Sequence, residues 1–372
     1  MSKSSFVTSA AKIKVVGIGG GGCNVISRMI KEEIQGVEFY ALNTDAQSLA
    51  FTEAPNRIQV GERVTRGLGA GGDHNVGAKA AEESYDGLRQ ALAGADMVFI
   101  TAGMGGGTGT GGAPIVAEIA KKNGALTIAV VTKPFAFEGS HRTKVAEEGI
   151  ANLMPRVDTL IIVPNDRLME MVDATTAVGS AFKMADDVLT HAVQAIAEVI
   201  TVPGMINLDF ADVRAVMKDA GPAWMSIGRG SGQNRAREAA QAALASPMLD
   251  VSIEGAKGVL FNVTGGQNLT LHEVRTAADL VQQAVDPDAT IIFGVVYDPK
   301  MDNDCKITLI ATGFVNSTTG GPPTKDELMR LVKDKEDGLD VPAIFRNRST
   351  HGRPLITARP APQDMKSGAR SR

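Results

Sequence analysis

The chain has 372 residues, enough for two domains or one large domain, and its core must be built from aliphatic side chains because aromatic residues make up only 4%. Two cysteines exclude a disulfide framework and make a zinc site improbable, so we expect a reducing compartment. The N-terminus has no apolar core of signal-peptide length, and no segment approaches the roughly 20 apolar residues of a membrane span. We therefore expect a soluble, cytoplasmic protein.

Strand-like and helix-like segments alternate along the first half of the chain, which predicts a parallel sheet with helices on both faces. Strands are expected at 13–18, 37–42, 96–100, 126–131 and 159–164. A long helix is expected from about Thr176 to Ile200. Its apolar residues recur at spacings of three and four, namely Val178, Phe182, Ala185, Leu189, Ala192, Ile196 and Val199. Further strands at 258–263, 290–296 and 306–314 predict a second, smaller α/β domain.

The stretch TAGMGGGTGTGGAP (101–114) contains seven glycines between a buried strand and a helical segment, with Pro114 placed to suit the first turn of that helix. In an α/β chain such turns lie at the carboxyl edge of the sheet. There, bare backbone N–H groups and the positive end of a helix favour an anion. Thr108 and Thr110 add hydroxyl donors. A phosphate group is therefore the expected ligand.

Two more glycine-rich turns extend this expectation. In GIGGGGCN (17–24), Gly17, Gly19 and Gly22 satisfy G-x-G-x-x-G, and Asp45 follows the next strand, so this turn alone also fits a nicotinamide or flavin oxidoreductase. The third turn is GLGAGGDHN (67–75). Three such turns indicate a chain of phosphates. Because no G-x-x-x-x-G-K-[ST] sequence occurs, charge must be neutralised by backbone dipoles, a bound cation and Arg142.

Seven motifs, in order, now resemble the bacterial members of the tubulin/FtsZ GTPase family. They are GGGGCN, NTDAQSL, GLGAGG, AGMGGGTGTGGAP, VTKPFAFEG, PNDRL and NLDFADV, and the resemblance covers residues 12 to 314. It implies a tubulin-like fold, in which a Rossmann-type parallel-sheet GTPase domain is joined by a long central helix to a smaller α/β C-terminal domain with a flexible tail. The implied boundaries are a disordered N-terminus (1–11), a GTP-binding domain (12–175), the central helix (176–202), a C-terminal domain with the catalytic loop (203–315), a linker (316–338), a partner-recognition peptide (339–348) and a basic disordered extension (349–372).

The resemblance also implies a GTP or GDP site and its residues. The implied phosphate, ribose and guanine contacts are Gly20, Gly21, Gly22, Cys23, Asn24, Asn43, Gly71, Gly103, Gly105, Gly106, Gly107, Thr108, Gly109, Thr132, Glu138, Arg142, Asn165, Phe182, Asp186 and Asp187. A carboxylate accepts from guanine N1–H and the N2 amine, and Phe182 offers a stacking face. From the local pattern alone, Asp187 could equally be a solvated helix residue and Phe182 a core residue, without contact to a nucleotide. Mg²⁺ is expected beside the β and γ phosphates, carried by the nucleotide rather than by protein ligands.

Asn207, Asp209 and Asp212, in NLDFADV, are the implied catalytic residues. In the family this loop docks on the nucleotide of the next subunit, where its acids polarise the attacking water, so hydrolysis would accompany head-to-tail polymerisation into the filaments of the cell-division ring. Locally, Asp209 and Asp212 fit equally well as the N-cap and N3 residues of the next helix. A tubulin-like structural protein that binds GTP without turnover remains an alternative, against which these acids argue.

The tail carries a further match. LDVPAIFRNR (339–348) resembles the family's C-terminal recognition peptide, which implies that Asp340, Pro342, Ile344, Phe345 and Arg346 bind membrane-tethering and regulatory division proteins such as FtsA at midcell. An idle tail is the alternative. From Val341 onward the chain has seven basic residues and one acid, against a net charge of −4 for the whole chain. This basic extension leaves contact with anionic lipid, nucleic acid or neighbouring filaments open.

Overall fold

The computed structural model describes residues 11–170, 176–201, 209–246, 248, 253 and 255–314. Residues 1–10, Asn207, the linker, the recognition peptide with Asp340, Pro342, Ile344, Phe345 and Arg346, and the basic extension lie outside the described residues. No helix in the described ranges is long and apolar enough to cross a membrane.

The strands form one sheet of ten, in the spatial order β3-β2-β1-β4-β5-β6-β7-β10-β8-β9. They are β1 (Ile13–Ile18), β2 (Val37–Asn43), β3 (Asn56–Gln59), β4 (Met97–Gly103), β5 (Leu126–Lys133), β6 (Thr159–Pro164), β7 (Gly221–Ser231), β8 (Gly258–Gly265), β9 (Thr290–Tyr297) and β10 (Asp304–Thr312). The first six strands are parallel throughout. β10 lies antiparallel between β7 and β8, so the sheet as a whole is mixed.

Twelve α-helices accompany these strands in the described residues. They are α1 (Gly19–Lys31), α2 (Ala46–Ala50), α3 (Glu62–Thr65), α4 (His74–Glu83), α5 (Tyr85–Ala91), α6 (Thr108–Lys122), α7 (Ser140–Leu153), α8 (Asn165–Met169), α9 (Val178–Thr201), α10 (Phe210–Met217), α11 (Arg235–Leu244) and α12 (Leu271–Ala284). The alternation of strand and helix confirms the expected α/β class with a long helix between a larger and a smaller half.

Two apolar cores cover the two faces of the parallel strands, as helices on both faces require. One core contains side chains of α1 and α9, and the other contains side chains of α5, α6 and α7. A third core joins α11 and α12 to the antiparallel part of the sheet. The long helix α9 is buried along one stripe from Ala181 to Val199, but Val178 and Phe182, expected on the same stripe, are 64% and 41% exposed. The first turn of α9 therefore presents these two side chains to solvent rather than to the core.

Helix α6 begins earlier than expected. The glycine-rich stretch was expected to be a turn that ends before Ala113, with Pro114 in the first helical turn, but the helix starts at Thr108 and Pro114 lies inside it. The glycines allow this because α6 packs closely on α4. A Cβ added to Gly111 would lie 2.0 Å from the carbonyl oxygen of His74, so no larger residue fits there. Close packing, rather than turn formation, accounts for that glycine.

Candidate nucleotide site

A cleft of about 400 Å³ opens where β1, β4, β5 and β6 end at the carboxyl edge of the parallel sheet. Most of the expected contact residues line this cleft: Gly20, Gly21, Asn24, Gly103, Gly106, Gly107, Thr108, Gly109, Thr132, Glu138, Arg142, Asn165, Phe182 and Asp186. The remaining lining residues are Gly19, which belongs to the expected first glycine turn, and four that were not expected from the sequence: Ile18, Met104, Pro134 and Ala185. The expected residues that do not line the cleft are Gly22, Cys23, Asn43, Gly71, Gly105 and Asp187.

The first turn of α1 presents bare backbone to the cleft. Gly20, Gly21 and Asn24 are exposed, and no side chain caps the N-terminus of this helix. A Cβ on Gly20 would meet no heavy atom within 4 Å, whereas a Cβ on Gly22 would lie 2.5 Å from the carbonyl oxygen of Thr101. Gly20 thus leaves room for a ligand, and Gly22 lets α1 pack against β4. This difference explains why Gly22 is absent from the cleft wall.

The N-terminus of α6 meets the same cleft. Its N-cap residue is Gly107, and neither this helix nor α1 has a side-chain cap or an acidic residue in its first turn. The first N–H groups of a helix have no partner inside the helix, and together with the macrodipole they attract an anion. Gly106 adds open backbone, since a Cβ there would meet nothing within 4 Å. Two helix ends therefore direct unpaired donors at one place, which suits a chain of phosphates.

Glu138 and Arg142 form an ion pair on one wall of the cleft. Glu138 follows β5, and its Oε1 accepts a hydrogen bond from the Phe135 amide at 2.9 Å, so the carboxylate is held in place. The side chain of Arg142 is 55% exposed, against 11% for Glu138. The guanidinium can reach a ligand from the solvent side, while the carboxylate is fixed beneath it. This pair offers one acceptor and one cation to whatever occupies the cleft.

The cleft wall also contains an amide, a carboxyl and an aromatic ring, from Asn165, Asp186 and Phe182. Asn165 is buried, and its Oδ1 has no hydrogen-bond partner among the described residues. The ring of Phe182 packs edge-on against Phe135, with centroids 5.3 Å apart, and is 41% exposed. Burial raises the pKa of the Asp186 carboxyl to about 6, partly opposed by Arg28. A planar group with hydrogen-bond donors fits between these side chains.

Asp187 faces away from this cleft. Its carboxylate pairs with Arg28 of α1, and it lines a separate pocket together with His191 and Arg229. Consecutive residues of a helix point about 100° apart, so Asp186 and Asp187 have different surroundings. Burial raises the pKa of Asp187, and the guanidinium of Arg28 acts against that rise. In this structure Asp187 links α9 to α1.

Four other residues that were expected to contact the nucleotide lie in the turns and strand ends around the cleft rather than in its wall. Cys23 is buried with its Sγ 3.6 Å from the carbonyl oxygen of Leu42, and burial raises its pKa to about 11. Asn43 is buried and accepts from the Asp45 amide at 3.3 Å. A Cβ on Gly105 would lie 2.8 Å from the Arg142 carbonyl oxygen, and Gly71 has a φ of +58° in the third glycine turn. These residues shape the turns around the cleft without lining it.

The two described acids of NLDFADV lie at the start of α10. Asp209 is the N-cap of that helix, and its Oδ1 accepts from the Ala211 amide at 3.3 Å, while Asp212 lies in the first turn. Neither residue lines the cleft. Within the described part of the chain, no group of three or more His, Cys, Asp or Glu side chains is placed to hold a metal ion. The wall of the cleft therefore has hydrogen-bond donors that suit phosphates but contains neither of these acids.

Comparison with known proteins identifies the architecture. Residues 12–173 match the Tubulin/FtsZ family, GTPase domain, and residues 221–315 match the FtsZ family, C-terminal domain. The chain is 47% identical to an FtsZ from M. jannaschii solved as an empty dimer, with a TM-score of 0.80, covering 84% of this chain and 95% of that one. A point mutant of M. jannaschii FtsZ is 50% identical, with a TM-score of 0.80 and coverage of 82% and 92%.

A more distant likeness concerns the fold alone. CetZ1 from Haloferax volcanii, solved as a GDP-bound monomer, is 20% identical with a TM-score of 0.71, covering 87% of this chain and 99% of that chain.

The matches to FtsZ span both halves of the described structure, and the GTPase-domain match includes all three glycine-rich turns. They override the oxidoreductase alternative that the first glycine turn left open. The chain belongs to the tubulin/FtsZ family of GTPases.

Proposed function

We propose that this protein binds GTP in the cleft and hydrolyses it only when a second copy of the chain closes the site, so that catalysis accompanies head-to-tail assembly into filaments. The observation that carries the proposal is the convergence of the uncapped α1 and α6 N-termini on one cleft, with no acid of the NLDFADV motif in its wall. Phosphates would be bound by one molecule. The carboxylates that activate water would come from another.

Guanine is the base that Asn165, Phe182 and Asp186 together favour. An ionised Asp186 accepts from N1–H and the N2 amine, and adenine presents no such pair of donors. The partly exposed ring of Phe182 would stack on the base, and the unpartnered Oδ1 of Asn165 offers one more acceptor. Glu138 and Arg142 would contact the ribose and the phosphates. These roles rest on the placement of the side chains.

Hydrolysis needs a group that orients and polarises water at the terminal phosphate. In the cleft wall the acidic residues are Glu138, which is paired with Arg142, and Asp186, which is proposed to bind guanine. Asp209 and Asp212, with Asn207 beside them in sequence, are therefore proposed to act on the nucleotide of the next subunit. The dimer of M. jannaschii FtsZ supports self-association.

Mg²⁺ would arrive with the nucleotide. The described residues offer no cluster of acidic or imidazole ligands for it, while phosphate oxygens are hard donors that suit this ion. When bound, the ion would neutralise charge on the β and γ phosphates. The backbone donors of Gly20, Gly21 and Gly106 would orient the same phosphates.

The biological setting is part of the proposal. Residues 12–175 would bind GTP, the helix at 176–202 would connect, and residues 203–315 would supply the catalytic loop. The filament would act as the scaffold of the division ring in the bacterial cytoplasm at midcell. Residues 339–348 would attach it to membrane-tethering partners such as FtsA, which makes its membrane contact indirect. The family resemblance of the tail sequence supports this attachment.

A dilution series tests the shared site. GTP turnover and light scattering are followed together as the protein is diluted. We expect turnover per molecule to be low in dilute solution and to rise above the concentration at which scattering appears. Turnover that scales linearly with protein down to the most dilute samples would refute the shared site. Tight GTP binding without turnover at any concentration would leave the non-hydrolysing structural protein.

A further inference from the structure

Thr44 connects two of the three glycine-rich turns, those at 67–75 and 101–114, but does not line the cleft. It follows β2 directly, is 0% exposed, and its Oγ1 lies 2.6 Å from Oγ1 of Thr108, the first residue of α6. Thr108 is half-buried and does line the cleft. A buried hydroxyl on one strand end thus contacts a hydroxyl that faces the ligand space.

Either hydroxyl can donate in this hydrogen bond, and each has only the other as its partner among the described residues. Thr108 is the only hydrogen-bond partner of Thr44 Oγ1 in the described structure, so the Thr44 hydrogen has one available acceptor. If Thr44 donates to Thr108, the Thr108 hydrogen is released toward the cleft, and the donated bond strengthens it as a donor. An anion in the cleft requires donors. Thr44 as the donor is therefore the arrangement that suits a phosphate.

The backbone of Thr44 is fixed independently of its hydroxyl. Its carbonyl oxygen accepts from Thr65 Oγ1 at 3.2 Å and from the Gly69 amide at 3.3 Å. Next to it, the Ala46 amide donates to the Gly67 carbonyl oxygen at 3.1 Å. These bonds hold the end of β2 against the third glycine turn. Removing the Thr44 hydroxyl therefore removes one bond to Thr108 and leaves the Thr44 backbone held.

We propose that Thr44 is a positioning residue for phosphate binding, which fixes the rotamer of Thr108 and directs its hydroxyl hydrogen at a phosphate oxygen. The inference rests on the proposed function, because it requires a nucleotide phosphate in the cleft. Thr44 itself does not touch the ligand. Its effect should therefore depend on Thr108 and on the presence of phosphates.

Five variants of the full chain test this dependence. Thr44→Val removes the hydroxyl and keeps the shape, and Thr44→Ser keeps the hydroxyl. Thr101→Val is the matched control, since Thr101, in β4, is equally buried and its Oγ1 has no hydrogen-bond partner among the described residues. Thr108→Val, alone and combined with Thr44→Val, measures the coupling. GDP and guanosine binding are titrated at a protein concentration below assembly, alongside thermal unfolding without nucleotide.

We expect Thr44→Val to weaken GDP binding by about fivefold to tenfold, equivalent to roughly one neutral hydrogen bond, because Thr108 keeps its hydroxyl but loses its orientation. Guanosine binding should be unchanged. Thr44→Ser should recover most of the affinity, and Thr101→Val should bind as the unaltered protein does. The double variant should bind GDP no more weakly than Thr108→Val alone. If Thr44→Val lowers the unfolding temperature, the GDP affinities of Thr44→Ser and Thr44→Ala are compared instead. Of these two variants, only Thr44→Ser keeps the hydroxyl.

Unchanged GDP binding by Thr44→Val would overturn the inference, as would equal losses for GDP and guanosine or additive losses in the double variant. A failure of the proposed function looks different. In that case the unaltered protein itself would not bind GDP, whatever residue stands at position 44.

Discussion

Gly20 and Gly22 lie in the same turn of α1 but have different surroundings, so one methyl group at each position tests the cleft and the packing separately. A Cβ on Gly22 would lie 2.5 Å from the Thr101 carbonyl oxygen and 2.9 Å from the Gly17 carbonyl carbon, and backbone atoms cannot rotate out of the way. Overpacking of this kind costs about 1–3 kcal/mol, and the better helix propensity of alanine returns at most about 1 kcal/mol. Gly22→Ala should therefore lower the unfolding free energy by about 1–2 kcal/mol.

Gly20→Ala should have the opposite effect on stability. Its Cβ would meet no heavy atom within 4 Å, so no clash offsets the gain of up to about 1 kcal/mol from a stiffer chain. The methyl group would, however, stand where a phosphate is expected to reach the backbone. We expect GDP to bind at least about tenfold more weakly, a loss of about 1.4 kcal/mol.

Urea unfolding without nucleotide and GDP titration measure the two effects on the same samples. The prediction is a crossed pattern, in which Gly20→Ala is stable and binds poorly while Gly22→Ala is unstable. Gly20→Ala binding GDP as tightly as the unaltered protein would refute the assignment of the α1 backbone to phosphate. If Gly22→Ala had the same unfolding free energy as the unaltered protein, the packing argument would be refuted.

Four further predictions concern Asp186, the two acids at the start of α10 and the C-terminal tail. Because burial raises the Asp186 pKa from 3.8 to about 6, a proton competes with guanine, so GDP affinity should fall as the pH drops through about 6; a flat titration would contradict the guanine role. The same shift means that ionising Asp186 costs stability as the pH rises through this window, so Asp186→Asn should be more stable than the unaltered protein above about pH 6, with little difference below the ordinary pKa of 3.8. Asp209→Ala should lose about 1 kcal/mol of stability with its N-cap bond, whereas Asp212→Ala should keep its stability and GTP binding but lose turnover; loss of binding would return Asp212 to a structural role. Deletion after Gly338 should spare assembly in solution and abolish recruitment to a membrane-bound partner, and normal recruitment would refute the peptide assignment.

The sequence predicted the parallel half of the fold because its strands are buried, apolar and separated by helices. β1 spans Ile13–Ile18 as expected, but β3 was missed because its four residues, NRIQ, carry no apolar run. Of β7 (Gly221–Ser231), only the short segment WMSIG (224–228) stands out in the sequence, because glycines interrupt the strand. A Cβ on Gly228 would lie 1.9 Å from the Ala239 carbonyl oxygen, so this glycine serves the packing of α11 rather than a turn. Close contacts between distant segments are not visible in a local pattern.

The cleft wall was predicted best along two of the glycine turns, those at 17–24 and 101–114, whereas no residue of the turn at 67–75 lines it. Sequence could not tell which residue of a pair such as Asp186 and Asp187 faces the cleft, because that depends on how α9 is rotated against α1. Pro134 and Met104 were missed since nothing in their residue types indicates a ligand. Thr44 was missed although NTD directly follows a predicted strand, a position that places polar residues at the ligand edge of a parallel sheet.

The central claim is that the cleft of one molecule is completed by carboxylates of another. It is tested most directly by adding excess Asp212→Ala protein to the unaltered protein held below its assembly concentration. The variant alone should hydrolyse no GTP, yet turnover per unaltered molecule should rise to the level of full filaments as the two sediment together, because each unaltered subunit donates its acids to a neighbour. Co-sedimentation without any rise in turnover would contradict the account.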